Sequence, residues 1–219
     1  MKEVIKEVLG MPYYRNHQAV SGKAHNTASH EEAVARVLTS KGYREHTIKL
    51  KESKKTRDRW LNKDYDEQYC KMKEDTFISQ PCGKNDSPDF IVKDDKGRLF
   101  FLECKSAKKG TPMYNSGVPK GKYIYILTSG KHNATTAYLG GDCLPEKAKI
   151  LIEKHISQAR EADSELEKEL SKLTEYGISY YTRPMIQHKG KQEKTDYFQN
   201  KNRVVNEQNV LKFIEQETL

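Results

Sequence analysis

Tyr123-Ile124-Tyr125-Ile126-Leu127-Thr128 carries no charged residue, and its only side-chain heteroatoms are hydroxyls. A strand with one wet face alternates apolar and polar residues, so a run like this reads as a strand buried on both faces. A chain containing it needs a sheet with a covering layer on each side. Thr135-Thr136-Ala137-Tyr138-Leu139 reads as a neighbouring strand. Upstream, Asp89-Phe90-Ile91-Val92-Lys93 and Arg98-Leu99-Phe100-Phe101-Leu102-Glu103-Cys104-Lys105 flank Asp94-Asp95-Lys96-Gly97. Two β-rich runs around a glycine-containing turn predict a hairpin, with Asp94 and Asp95 fitting turn chemistry.

Helical periodicity supplies the covering layers. Met1 to Gly10 mixes acids, lysines and apolar residues as an amphipathic helix start and lacks the continuous apolar core of a signal peptide. Ser29 with Glu32 forms a capping-box signature ahead of Ala33, Val34, Val37 and Leu38, and Gly42 is a natural stop. Ala148, Leu151, Ile152, His155, Ile156, Ala159, Ala162, Leu166, Leu170 and Leu173 place one apolar stripe on a helix from 145 to about 176. His155 then sits at the core edge. Gly177 ends that helix, Ile178-Ser179-Tyr180-Tyr181 resumes a strand, and Asn209 to Glu215 forms a short closing helix. Strands interleaved with helices predict an α/β fold, a mixed central β-sheet flanked by helices. With no repeats and no Pro/Ser/Gly-rich linker, the 219 residues read as one domain. Its parts are a mainly helical 1–75, a sheet core 76–182 including the long helix, and a basic 183–219.

Charge narrows the partners. Lys and Arg number 39 against 31 Asp and Glu, a net charge of +8, which attracts polyanions such as nucleic acid. Cys70, Cys82, Cys104 and Cys143 form no CxxC pair and read as free thiols in a reducing cytosol. Nothing is long and apolar enough to span a bilayer, so the expectation is a cytoplasmic protein without a membrane partner. Lys54, Lys55, Arg57 and Arg59 around Trp60 read as a solvated helix face before a nucleic-acid surface, while the basic stretch Lys189 to Arg203 with Tyr197 and Phe198 reads equally as a DNA wrap or a solvated loop.

The chemistry lies in Asp89, Glu103 and Lys105. Phosphodiester hydrolysis needs a metal to offset charge on the non-bridging oxygens, an activated water and help for the leaving oxygen. Two carboxylates on adjacent strands can hold Mg²⁺ while leaving positions for water and phosphate. Glu103 and Lys105 are two apart on one strand and share a face, with the Cys104 carbonyl as a further ligand and its thiol turned to the core. Register is the test. A plain two-residue turn at Asp95-Lys96 would oppose Asp89 to Leu102 and put the carboxylates on opposite faces. One extra residue, with Gly97 in a bulge, restores them to one face.

Ser87-Pro88-Asp89-Phe90 followed by Phe101-Leu102-Glu103-Cys104-Lys105 resembles the PD-(D/E)XK nuclease superfamily, and the loop Gln80 to Asp86 resembles type II restriction endonucleases. The resemblance covers residues 80–105. It implies a restriction-endonuclease-like core and Mg²⁺-dependent cleavage of double-stranded DNA at a short sequence, leaving 5′-phosphate and 3′-hydroxyl ends. It also implies a homodimer and a cognate DNA methyltransferase as functional counterpart. Family members carry an acid on the helix before the core sheet, which makes Glu31 and Glu32 candidates. Glu31 is preferred because Glu32 already serves the capping box. Groove-facing loops supply candidate DNA contacts at Gln80, Lys84, Asn85, Ser106, Lys108, Lys109, Asn115, Lys131 and Asn133, the lysines suiting phosphates. The alternatives are a repair or junction-resolving nuclease of the same superfamily, or a basic nucleic-acid-binding module without catalysis. His132-Asn133 lacks the partner histidine a His-based nuclease needs.

Overall fold

A computed structural model describes residues 1–13, 28–46, 72–83, 87–115, 117–173, 175–191 and 195–216. In chain order the elements are α1 (Lys2–Leu9), α2 (Ala28–Ser40), β1 (Arg44–Glu45), β2 (Thr76–Ser79), β3 (Phe90–Lys93), β4 (Leu99–Ala107), β5 (Met113–Tyr114), β6 (Ile124–Ser129) and β7 (Ala134–Leu139). They continue with α3 (Gly140–Cys143), α4 (Glu146–Leu173), β8 (Ile186–Gln187), a 3-10 turn (Tyr197–Gln199) and α5 (Arg203–Gln216). The fold is α/β. Six strands form one mixed sheet in the order β1-β2-β3-β4-β6-β7, and β5 pairs with β8 beside it. The β1–β2 and β4–β6 pairs are parallel, the remainder antiparallel.

Alternation along the strands gives the sheet two different faces. Phe77, Phe90, Val92, Phe100, Leu102, Ile124 and Ile126 meet α1, α2 and α5 through Val4, Ile5, Val8, Val34, Leu38, Val210 and Ile214. The other face is aromatic: Phe101, Tyr123, Tyr125 and Tyr138 pack with Tyr114 and Tyr197. Every residue of β6 is buried, as its apolar composition requires. Among the described residues no helix is long and apolar enough to cross a membrane.

The β3–β4 hairpin carries the extra residue. Phe90 opposes Leu102 and Lys93 opposes Leu99. The Asp94 N–H donates to the Arg98 carbonyl at 3.0 Å, the Gly97 N–H donates to the Asp94 carbonyl at 3.1 Å, and Gly97 has φ +75°. This is a three-residue turn closed by a left-handed glycine, the bulged geometry that shifts the register by one. Fully buried Asp94 locks the tip: its carboxylate accepts the Lys96 and Arg98 N–H groups and the Arg98 guanidinium, which also donates to the Ile214 carbonyl of α5 at 2.7 Å. Gly97→Val places a β-branched residue in the left-handed region and is expected to lower stability by about 1–2 kcal/mol. The measurement is the denaturant midpoint, and an unchanged midpoint would show that the turn does not depend on glycine.

Several expectations from the sequence are corrected. The second helix starts at Ala28, so Ser29 lies inside its first turn and is not the residue that precedes it. Residues 178–181 are not a strand: Ile178, Tyr180 and Tyr181 are exposed in a strap running beside α4, and pairing resumes only at Ile186. The strap is held to α4 by backbone bonds to Glu167 and Asp163 side chains in place of a ladder, which an aromatic doublet alone cannot create. The long helix spans Glu146–Leu173, starting directly after Pro145 as expected and stopping short of Tyr176, and none of its residues is buried. His155 is accordingly exposed and does not border the core. The closing helix begins at Arg203, six residues before Asn209, because Asn206 joins its buried face through a hydrogen bond to the Tyr197 hydroxyl. Tyr197 itself lies against Tyr138, ring centroids 4.4 Å apart, so this aromatic completes the sheet's second face and is neither a solvated loop nor a DNA wrap. The Lys54–Trp60 segment lies outside the described residues.

Candidate active site

Register extends the hairpin one step beyond β3 and sets Asp89 opposite Glu103. On β4, Phe101, Glu103 and Lys105 share the aromatic face, while Cys104 packs with the helix-covered core. At the end of β3 the ladder stops, and the Asp89 side chain takes over: Oδ2 accepts the Cys104 N–H at 2.6 Å. In a strand the N–H and C=O of one residue point to the same side. The Cys104 carbonyl is therefore directed to the edge that Asp89 occupies.

Lys105 Nζ donates to Glu103 Oε1 at 2.7 Å. Glu103 is 7 % exposed, and its second oxygen, Oε2, is buried without a hydrogen-bond partner. Burial first, then the neighbouring Glu103 charge, pushes the Asp89 carboxyl well above the usual carboxylate range. Burial also raises Glu103, with Lys105 and Lys120 opposing the shift. Two largely desolvated carboxylates that resist ionising together, one with an orphaned oxygen, form a site that a further positive charge would stabilise.

Glu31, from the first turn of α2, stands at the same place. Its charge acts on both Asp89 and Glu103, and its Oε2 accepts from Gln80 Nε2 at 2.9 Å. Glu32 is exposed. Gln80 has φ +46°, its N–H donates to the Asp89 carbonyl at 2.7 Å, and it thus links β2, Asp89 and Glu31. Among the described residues no three His, Cys, Asp or Glu side chains converge into a metal cage of their own. Mg²⁺ does not require one, because it keeps several waters and takes one or two carboxylates. An all-oxygen donor set of Asp89, Glu103 and the Cys104 carbonyl suits that hard cation, and the orphaned Glu103 Oε2 fits it.

The remaining candidates are scattered. Lys84 and Asn85 lie outside the described residues. Ser106, Lys108 and Lys109 are exposed where β4 ends. Asn115 holds the strap, its carbonyl accepting from Arg183 Nε at 3.3 Å, while its Oδ1 is buried without a partner. Lys131 Nζ donates to Asp196 Oδ2 at 2.9 Å, and Asn133 Oδ1 accepts the Tyr13 N–H at 3.1 Å, so both serve the fold.

Two residues at the site escaped the sequence reading. Tyr125 is the partner of Glu103 on β6, and its hydroxyl accepts the Lys120 N–H at 3.0 Å. That contact holds the segment before β6 so that the Lys120 charge reaches Glu103. The only signal in the sequence was a lysine in a Pro/Gly-flanked turn, Pro119-Lys120-Gly121. Gly140 seats the same segment: a Cβ there would lie 2.0 Å from the Lys120 carbonyl oxygen. Gly140→Ala is therefore expected to cost about 1–3 kcal/mol by displacing backbone. Thermal melts test this, and a variant as stable as the parent would show that the segment yields without loss.

Comparisons with protein-family models, with curated proteins and with solved structures found no match for this chain.

Proposed function

We propose that this chain is a Mg²⁺-dependent deoxyribonuclease of PD-(D/E)XK type with a restriction-endonuclease-like core, acting as a type II restriction endonuclease on double-stranded DNA. The observation that carries the reading is the register that sets Asp89 beside Glu103, with Lys105 Nζ bonded to Glu103 and Glu103 Oε2 left without a partner. Asp89, Glu103 and the Cys104 carbonyl are the residues that would hold Mg²⁺. When bound, the ion offsets charge on the phosphate and makes a water more acidic.

The protein's own groups account for the other requirements. The Lys105 ammonium, fixed by Glu103, stands where it stabilises negative charge on an attacking water and orients it toward phosphorus. Attack by water forms a new P–O bond and breaks the P–O3′ bond, leaving the phosphate on the 5′ end; the attacking water releases one proton to solvent and the 3′ oxygen takes one up from it. Glu31, held by Gln80, adds a carboxylate at the rim that can order a water. Lys108 and Lys109, exposed beyond Lys105, suit the DNA backbone on either side of the reacting phosphate. The family resemblance adds a homodimer and a methyltransferase of matching specificity.

Incubating the full chain with plasmid DNA, with Mg²⁺ or with EDTA, and sequencing the ends tests the reading. Discrete fragments with one sequence at their ends, in Mg²⁺ only, are expected. Cleavage confined to branched or damaged DNA would move the assignment to a repair or junction-resolving nuclease. Salt-sensitive binding with no cleavage in any divalent metal would leave a non-catalytic nucleic-acid-binding module.

A further inference from the structure

We infer that α4 is a self-association surface on which a second copy of this chain docks antiparallel, about a two-fold axis passing near the Gln158–Ala159 bond. The helix has 28 residues, about 42 Å in length, and none of them is buried. An isolated helix with this composition gains little stability in water without a packed face. The strap covers one side of it: the Tyr180 N–H donates to Glu167 Oε1 at 2.7 Å and Thr182 binds Asp163 through its N–H and hydroxyl. Ile152, Ile156 and Ala159 border the resulting groove with Pro184 and Met185. Leu151, His155, Ala162 and Leu166 stay exposed, Leu151 at 69 % and Leu166 at 42 %.

The pattern of that exposed face selects the occupant. Leu151 stands as far before the Gln158–Ala159 bond as Leu166 stands after it, and His155 and Ala162 are related in the same way. An antiparallel copy therefore sets Leu151 against Leu166 and His155 against Ala162, twice over, as an isologous interface demands. Charge is arranged to match. Residues 146–160 hold Lys147, Lys149, Lys154 and Arg160 against two acids, a net charge of +2. Residues 161–173 hold Glu161, Asp163, Glu165, Glu167 and Glu169 against two lysines, a net charge of −3. The antiparallel arrangement lays the basic half of each helix along the acidic half of the other, whereas a parallel one opposes like charges. Nothing in this depends on the nuclease reading.

The test is the mass of the full chain in solution by sedimentation equilibrium at tens of micromolar, in the absence of DNA. The expected mass is twice that of the 25.3 kDa chain. Leu151→Lys/Leu166→Lys and, separately, Leu151→Glu/Leu166→Glu place like charges at both contacts and are each expected to weaken self-association by about a hundredfold or more. Both should keep the parent's circular dichroism, and an equimolar mixture of the two should regain the double mass. Leu151→Cys/Leu166→Cys is the milder probe. The two positions are about 22 Å apart within one helix, so oxidation can join them only between chains. A monomeric parent, variants that stay dimeric, or a mixture that stays monomeric beside a dimeric parent would each overturn the proposal. So would a folded, reduced cysteine variant that fails to cross-link on oxidation.

Discussion

Lys105→Ala is expected to lower the Mg²⁺-dependent cleavage rate by about a thousandfold or more while leaving DNA affinity within a few-fold of the parent. The asymmetry follows from where the ammonium stands. Lys105 is one cation among 39 on a chain of net charge +8, so the long-range attraction for a polyanion hardly changes on its removal. In the proposed chemistry its place is special: it is bonded to Glu103 at 2.7 Å in a partly desolvated site, where a fixed charge acts far more strongly on a transition state than it would in water. Single-turnover cleavage rates beside gel-shift affinities measured without divalent metal separate the two quantities. Equal losses in both would make Lys105 a DNA-binding residue, and full activity would remove it from the chemistry.

Glu103→Gln is expected to abolish cleavage and at the same time to stabilise the metal-free protein. In the unfolded chain Asp89 and Glu103 titrate near pH 4. Folding raises both, because burial and mutual repulsion disfavour their charged forms. Above about pH 4 the folded chain thus holds more protons than the unfolded one, and its stability falls as pH rises toward the raised values. In EDTA the melting temperature is expected to drop between weakly acidic and weakly alkaline buffer, and the slope should flatten in Glu103→Gln, which removes one of the two charges. Mg²⁺ should act in the opposite sense, most at alkaline pH where the site is ionised. It should add about 2.7 kcal/mol at a hundred times its dissociation constant. A parent whose stability rises across that range, or a variant still stabilised by Mg²⁺ to the same extent, would contradict a metal site at Glu103.

The hairpin was legible because its information is local. Period-two patterning, the Asp94–Gly97 turn and the parity of Asp89 against Glu103 are all contained in some fifteen consecutive residues, and register follows from the one residue Gly97 adds. Glu31 was reachable only as a family expectation, since its approach to Asp89 depends on how α2 meets the sheet end. Lys120 and Tyr125 were out of reach for a related reason. They join the site through the parallel β4–β6 pairing, and a parallel neighbour has no turn signature to announce its register. The stripe on α4 was legible as one apolar face but not as an exposed one: amphipathicity marks a face and says nothing about whether the core covers it. Residues 178–181 failed because strand composition was present and a partner strand was not.

The two ends of the β3–β4 hairpin divide their labour. At the closed end, Asp94 and Arg98 set the alignment through contacts that involve no residue of the site. At the open end, Asp89 and Glu103 inherit that alignment. Such a division separates the residues that fix the register from those that use it. Under the proposed function, a lineage of this protein could exchange its target-reading residues elsewhere while the closed end of the hairpin keeps the carboxylates aligned.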